Sequence, residues 1–144
     1  MQKNYLEYQE ILKRYPKKRI ILEQEYLKVY NEHYKNNRGG QGFANKIAQK
    51  MESWMHKIVS KKEGEDILEL GAGNLNHIKY EKSFKNYDIV EPFKELYKNE
   101  THLNKVRKEF VSIFEVKNSY DKIISIATLE HLENLPKEII YCKN

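Results

Sequence analysis

The chain has 144 residues, enough for one domain with a real core, and is 40% hydrophobic and 33% charged. That balance excludes a disordered chain, and no apolar run nears the roughly 20 residues that span a bilayer. The formal charge of +5 comes from lysines interleaved with glutamates, as on solvated helix faces, and the single cysteine, Cys142, excludes a disulfide framework.

From Tyr5 to about Met55 the pattern is helical. Tyr5, Leu6, Tyr8, Ile11, Leu12 and Tyr15 recur at helical offsets until Pro16 stops the segment. Ile20, Leu22, Tyr26, Leu27 and Tyr30 predict a second helix, and residues 36–42, rich in Asn and Gly, a loop. A third helix is expected from Ala44 to Ile58, with Ile47, Ala48, Met51, Met55 and Ile58 on one face. The basic run Lys17-Lys18-Arg19 beside Pro16 reads as a turn without a role.

After Gly64 the rhythm becomes strand and helix in alternation. Strands are expected at Asp66–Leu70, Tyr87–Val90, Phe110–Ile113 and Lys122–Ile126. Helices are expected at Leu75–Phe84, near Phe93–Tyr97, and at Leu129–Tyr141, where Pro136 interrupts or restarts the last one. Such alternation implies βαβ units and a parallel sheet. The expected division is an N-terminal helical cap over residues 1–60 and an α/β domain over 61–144.

The first strand ends in Gly71-Ala72-Gly73, a sequence that lets the backbone turn sharply and a ligand approach without meeting a Cβ. Glu91 closes the second strand about twenty residues later, where an acidic side chain meets the two hydroxyls of a ribose. Two departures separate this stretch from a dinucleotide fingerprint. Asn76 stands at the third glycine position, and Glu69 precedes Gly71 by two residues. A carboxylate there would repel a pyrophosphate and favour a cationic ligand. S-adenosylmethionine carries an ammonium and a sulfonium and no phosphate.

The stretch Glu69-Leu70-Gly71-Ala72-Gly73 resembles the first motif of class I S-adenosylmethionine-dependent methyltransferases, with Leu75 at that motif's third glycine. Tyr87-Asp88-Ile89-Val90-Glu91-Pro92 is similar to the second motif, and residues 119–136 to the fourth-strand segment of the small-molecule branch. The resemblance covers about Asp66 to Pro136; Tyr30–Tyr34 with Arg38, and Trp54-Met55-His56, more loosely resemble methyltransferases found with surface-polysaccharide genes. It implies a Rossmann-like α/β sheet with S-adenosyl-L-methionine as cofactor. Glu69 would act on the methionine ammonium, while Gly71 and Gly73 would line the cofactor. Glu91 would bind the ribose, with Pro92 or Phe93 near the adenine, and Ser112, Ile113 and Phe114 would flank the base. Ile126, Ala127 and Thr128 would lie below the methyl group, and Arg38 or Tyr34 would close over the carboxylate. His131 is the candidate catalytic base, against a capping or packing role. No metal site is read.

The resemblance implies seven strands, of which four are read here, so the expectation is a product truncated after the fourth strand, with impaired activity. The open fourth strand invites self-association. The expected reaction is methyl transfer to oxygen or nitrogen of a small molecule, such as a sugar or surface-polysaccharide precursor, in the cytoplasm. No nucleic-acid or membrane partner is expected. The alternatives are an inactive interaction module that keeps the fold and a nucleotide-binding oxidoreductase.

Overall fold

In the computed structural model, which describes residues 9–18, 23–26, 29 and 43–143, the sheet is built around strand β1, Asp66–Leu70. Its sequence, DILEL, is buried from Ile67 onward, so side chains on both faces meet protein. That is the environment of a central parallel strand, and it explains the unbroken apolar character on either side of Glu69. Strand β2, Asn86–Val90, pairs parallel to β1 with Ile67 opposite Tyr87 and Leu70 opposite Val90. Strand β3, Lys108–Phe110, lies outside β2, and β4, Lys122–Ser125, pairs parallel to the other side of β1. The order is therefore β3-β2-β1-β4, with all pairs parallel.

Each face of the sheet carries its own core. Ile67, Ile89 and Ile124 point to one side, where Ala72, Leu75, Ile78, Tyr87 and Tyr97 complete a cluster. Leu68, Leu70 and Val90 point to the other and pack with Ile113 and Val116. Helix α2, Leu135–Tyr141, covers this second face through Tyr141, whose hydroxyl donates to the Val116 carbonyl at 2.9 Å. Asn134 caps α2 and Pro136 sits in its first turn, where a missing N–H leaves nothing unsatisfied. Pro136 thus restarts the helix; residues Leu129–His131 before it form a separate 3-10 turn.

The connections are tighter than expected. Leu75–Phe84 holds turns and the 3-10 segment Ile78–Tyr80, and the stretch near Phe93–Tyr97 holds the 3-10 segment Lys94–Leu96. The third strand is Lys108–Phe110, not Phe110–Ile113. Pairing with β2 sets it, Asp88 opposite Lys108, while Ile113 turns into the second core.

Helix α1, Phe43–Val59, matches the third expected helix within a residue, but Ile47, Met51, Met55 and Ile58 stay exposed, and only Val59 at its end packs against the first core. Its inner side is polar. His56 is buried and its Nδ1 lies 2.9 Å from Nδ1 of His77, while Glu52 accepts from the Asn76 amide at 3.3 Å. His77 Nε2 reaches Glu81 at 2.6 Å, and the same carboxylate oxygen holds Lys122 of β4 at 2.6 Å. With Glu81 as a carboxylate, the His77 Nε2–H donates to it. His77 Nδ1 then accepts from His56 Nδ1–H, a tautomer assignment dictated by the network. Burial, together with the charges of His56 and Lys122, outweighs Glu81 and lowers the His77 pKa, keeping the ring neutral. The chain Lys122–Glu81–His77–His56 satisfies otherwise costly buried groups and fixes α1 to the sheet.

Among the residues nearer the N-terminus, 9–12 are helical and 24–26 and 29 keep helical geometry. Lys17 has a contact that its sequence did not suggest. Its amide donates to the Glu133 carbonyl at 2.7 Å and its ammonium to the Glu130 carbonyl at 3.0 Å, tying the first segment to the turn after β4.

Candidate functional site

The strand order marks the position at which open parallel sheets generally hold ligands. Chain progress from β1 runs outward through β2 and β3, then returns to the opposite side of β1 for β4. The carboxyl ends of β1 and β4 therefore flank a topological switch point, the position where open parallel sheets leave a crevice. Three segments converge there: the turn after β1, the end of β2, and residues 126–128 after β4.

The turn after β1 is strained in an informative way. Gly71 and Gly73 have φ of 74° and 53°. A Cβ on Gly71 would collide with the Oγ1 and Cγ2 atoms of Thr128, whereas a Cβ on Gly73 would meet nothing within 4 Å. Gly71 is thus required by the packing of β4's exit, and Gly73 faces open space. Leu75 and Ala127 are the described non-glycine residues with positive φ, 58° and 52°. Such conformations persist only where surroundings enforce them, and they gather at functional sites. Leu75 is held by complete burial in the first core, whereas Ala127 lies exposed at the mouth of the crevice.

Glu91 is buried at the end of β2 and binds two backbone donors. Gly73 N–H donates to Oε2 at 2.9 Å and Phe93 N–H to Oε1 at 3.0 Å. Each oxygen retains a second lone-pair direction, so the carboxylate can accept from two further hydroxyls. Pro92 and Phe93 follow on the surface, and the Phe93 ring is 58% exposed. The Ser125 hydroxyl, opposite Leu70 in the β1–β4 register, is the buried side-chain polar atom that has no hydrogen-bond partner among the described residues.

Glu69 is not an open carboxylate at the crevice. It is buried on the first face, where the Tyr87 hydroxyl donates to its Oε2 at 2.8 Å. Burial raises its pKa to about 8, against the opposing pull of that hydrogen bond and with help from Glu81 and Glu91. The charge assigned to it from sequence is therefore a proton-bearing carboxyl at neutral pH when no cation is near. Ile113 is buried in the second core, and Phe114 packs edge-on against Tyr141 at 5.2 Å, so both side chains serve packing rather than the crevice. Ile126 leans on the first core and Thr128 covers Gly71. The His131 ring is 73% exposed, 4.0 Å from Glu130, and nothing aims it at the crevice. Arg38 and Tyr34 lie outside the described residues.

Asp88 escaped the sequence reading. Fully buried on β2, it receives Arg107 through Nε at 2.9 Å and Nη2 at 2.6 Å, and the Tyr120 hydroxyl at 2.7 Å. Burial alone would raise its pKa, but the Arg107 and Tyr120 hydrogen bonds prevail and lower it. This clamp joins β2 to the segments before β3 and β4, below the level of Glu91. An acid alternating with apolar residues in YDIV was the available signal.

No protein-family model matches the chain, and no curated protein matches it. Among solved structures, it is similar to that of CalS10 with S-adenosylmethionine bound, an amino pentose methyltransferase from Micromonospora echinaspora involved in calicheamicin biosynthesis. The TM-score is 0.50 at 15% identity, over 87% of this chain and 52% of that one. The chain carries part of a Rossmann-like methyltransferase fold. It spans about half the length of the matched structure. Among the described residues no helix is long and apolar enough to cross a membrane, and no cluster of three metal-ligating side chains occurs.

Proposed function

We propose that the chain binds S-adenosyl-L-methionine at the switch point between β1 and β4, as the cofactor-holding part of a methyltransferase acting on oxygen or nitrogen of a small molecule. The observation that carries this reading is Glu91, fixed by the Gly73 and Phe93 amides with lone pairs to spare, beside a glycine that opens onto free space. Carboxylate oxygens so placed suit the two hydroxyls of a ribose, and the exposed Phe93 ring suits an adenine face. The likeness to a structure that holds S-adenosylmethionine supports the same ligand class.

In this reading Gly71 and Gly73 present backbone, Glu91 takes the ribose, Pro92 and Phe93 bound the base, and Ile126, Ala127 and Thr128 border the methyl end. Glu69 releases its proton as the ligand ammonium approaches, since an adjacent cation lowers a carboxyl pKa. The cofactor supplies a methyl already activated on a sulfonium, so the chain's own task is alignment and exclusion of water. A sugar-like acceptor is consistent with the amino pentose on which CalS10 acts. His131 is the candidate base on the acceptor side, and Arg38 the candidate partner of the cofactor carboxylate.

Calorimetry with S-adenosylhomocysteine and with NAD tests the proposal. Binding of the first alone, weakened about 10- to 100-fold by Glu91→Ala, is the expected result. Binding of NAD alone would make the chain a nucleotide-binding oxidoreductase, and binding of neither an interaction module.

A further inference from the structure

Helix α1 is amphipathic with the wrong face outward for a cap. Ile47, Met51, Trp54 and Ile58 follow spacings of four, three and four residues, which place them in one stripe along the helix. They are 46%, 62%, 63% and 42% exposed. The opposite side, with Glu52 and His56, is the one bound to Asn76 and His77. Polar contacts thus fix the orientation in which the apolar stripe faces solvent.

The border of that stripe is cationic. Lys46, Lys50 and Lys57 are exposed and line one shallow hollow together with Gln49, Ser53 and Trp54. Glu52 is the acid of α1, and its carboxylate is engaged by the Asn76 amide. The outward surface of seventeen residues therefore offers apolar side chains, a tryptophan and three lysines without a counter-charge of its own helix. A second copy is a poor fit. In an antiparallel pair centred between Ser53 and Trp54, Lys50 of one copy would face Lys57 of the other, and like charges would oppose contact.

We propose that α1 is an interfacial helix that lies on an anionic lipid bilayer, with Ile47, Met51, Trp54 and Ile58 in the acyl boundary and Lys46, Lys50 and Lys57 among the headgroups. An apolar stripe and a basic border are the two signals that surface association needs, since either alone binds weakly. Tryptophan favours the same depth. The proposal is independent of the cofactor reading and replaces the sequence expectation of no membrane partner.

Trp54 is the sole tryptophan, so its emission reports on the stripe directly. The full chain is mixed at low salt with vesicles of phosphatidylcholine alone or with 30% phosphatidylglycerol. Expected are a blue shift and co-flotation with the anionic vesicles only, lost in half-molar salt. The double variant Lys46→Gln/Lys50→Gln, which touches no packed group, should weaken partitioning about 25-fold, on the order of fivefold per lysine. Met51→Glu should abolish it with an unchanged circular dichroism spectrum. No shift and no flotation at low salt would overturn the proposal, as would equal binding to both vesicles. A blue shift that follows protein concentration without lipid, with dimers in sedimentation, would assign the stripe to a second copy instead.

Discussion

The Tyr87 hydroxyl, projecting from β2, donates a 2.8 Å hydrogen bond to the Glu69 carboxyl on β1, inside the first core. Folding raises the Glu69 pKa to about 8, so the folded state holds a proton that the unfolded chain releases near 4.5. This contribution to stability is complete below about 4.5 and is lost as pH rises toward 8. Denaturant titrations should show stability falling by roughly 3–5 kcal/mol over that window, after other groups are accounted for. Glu69→Gln, which cannot ionise, should flatten the curve and be more stable than wild type at pH 8. An unchanged slope in that variant would show that another group carries the dependence.

Asp88 behaves with the opposite sign. Its pKa is lowered in the fold, so its contribution is present above the unfolded value of about 3.8 and is lost as pH falls through the folded one. Arg107→Leu strands a buried carboxylate and should cost about 3–5 kcal/mol at pH 7. The loss should shrink on acidification as Asp88 takes up a proton. Tyr120→Phe removes one of the three side-chain hydrogen bonds to Asp88 and should cost about 1–2 kcal/mol. Urea midpoints at pH 7 and pH 4 measure both.

Leu75 stands where the methyltransferase motif has its third glycine, and it takes the backbone that glycine would take, φ 58°. Burial in the first core holds it there. Leu75→Ala should lose about 2–5 kcal/mol because a cavity forms while the strained φ stays. Leu75→Gly loses the same side chain and relieves the strain, so it should match or exceed the alanine variant by up to about 1 kcal/mol. Thermal melts that rank alanine clearly above glycine would contradict the strain argument.

His77 is held neutral, with a pKa below its ordinary 6.5. Nitrogen NMR should find the Nε2–H tautomer of His77 persisting below pH 6.5. Lys122→Met leaves Glu81 buried opposite a neutral ring and should cost about 3–5 kcal/mol. It should also speed amide exchange in α1, whose anchor is the same network.

The sheet was legible where burial is two-sided or a residue has one conformational use. DILEL and NYDIV are apolar enough to be strands, and the turn between β1 and its following loop follows from Gly71 and Gly73. Glu91 was legible because Pro92 ends its strand. Strand β3 was not. Lys-Glu-Phe has no apolar alternation, and it is a strand only because β2 offers it a ladder. Spacing placed Ile47, Met51 and Ile58 on one face of α1, but local spacing cannot say which side of the helix finds partners. His77, Glu81 and Lys122 decide that from more than twenty residues away. Thr128 over Gly71 belongs to the same class, a contact across fifty-seven positions.

The placement of β1 between β2 and β4 also orders events in time. Ile67 finds Tyr87 after a loop of about twenty residues but waits for Lys122 across about fifty-five. Closing the longer loop earns no contact until late, so β1, β2 and β3 should assemble first and β4 should dock last. During synthesis the crevice, with both its walls, comes into being only after residue 128 has left the ribosome.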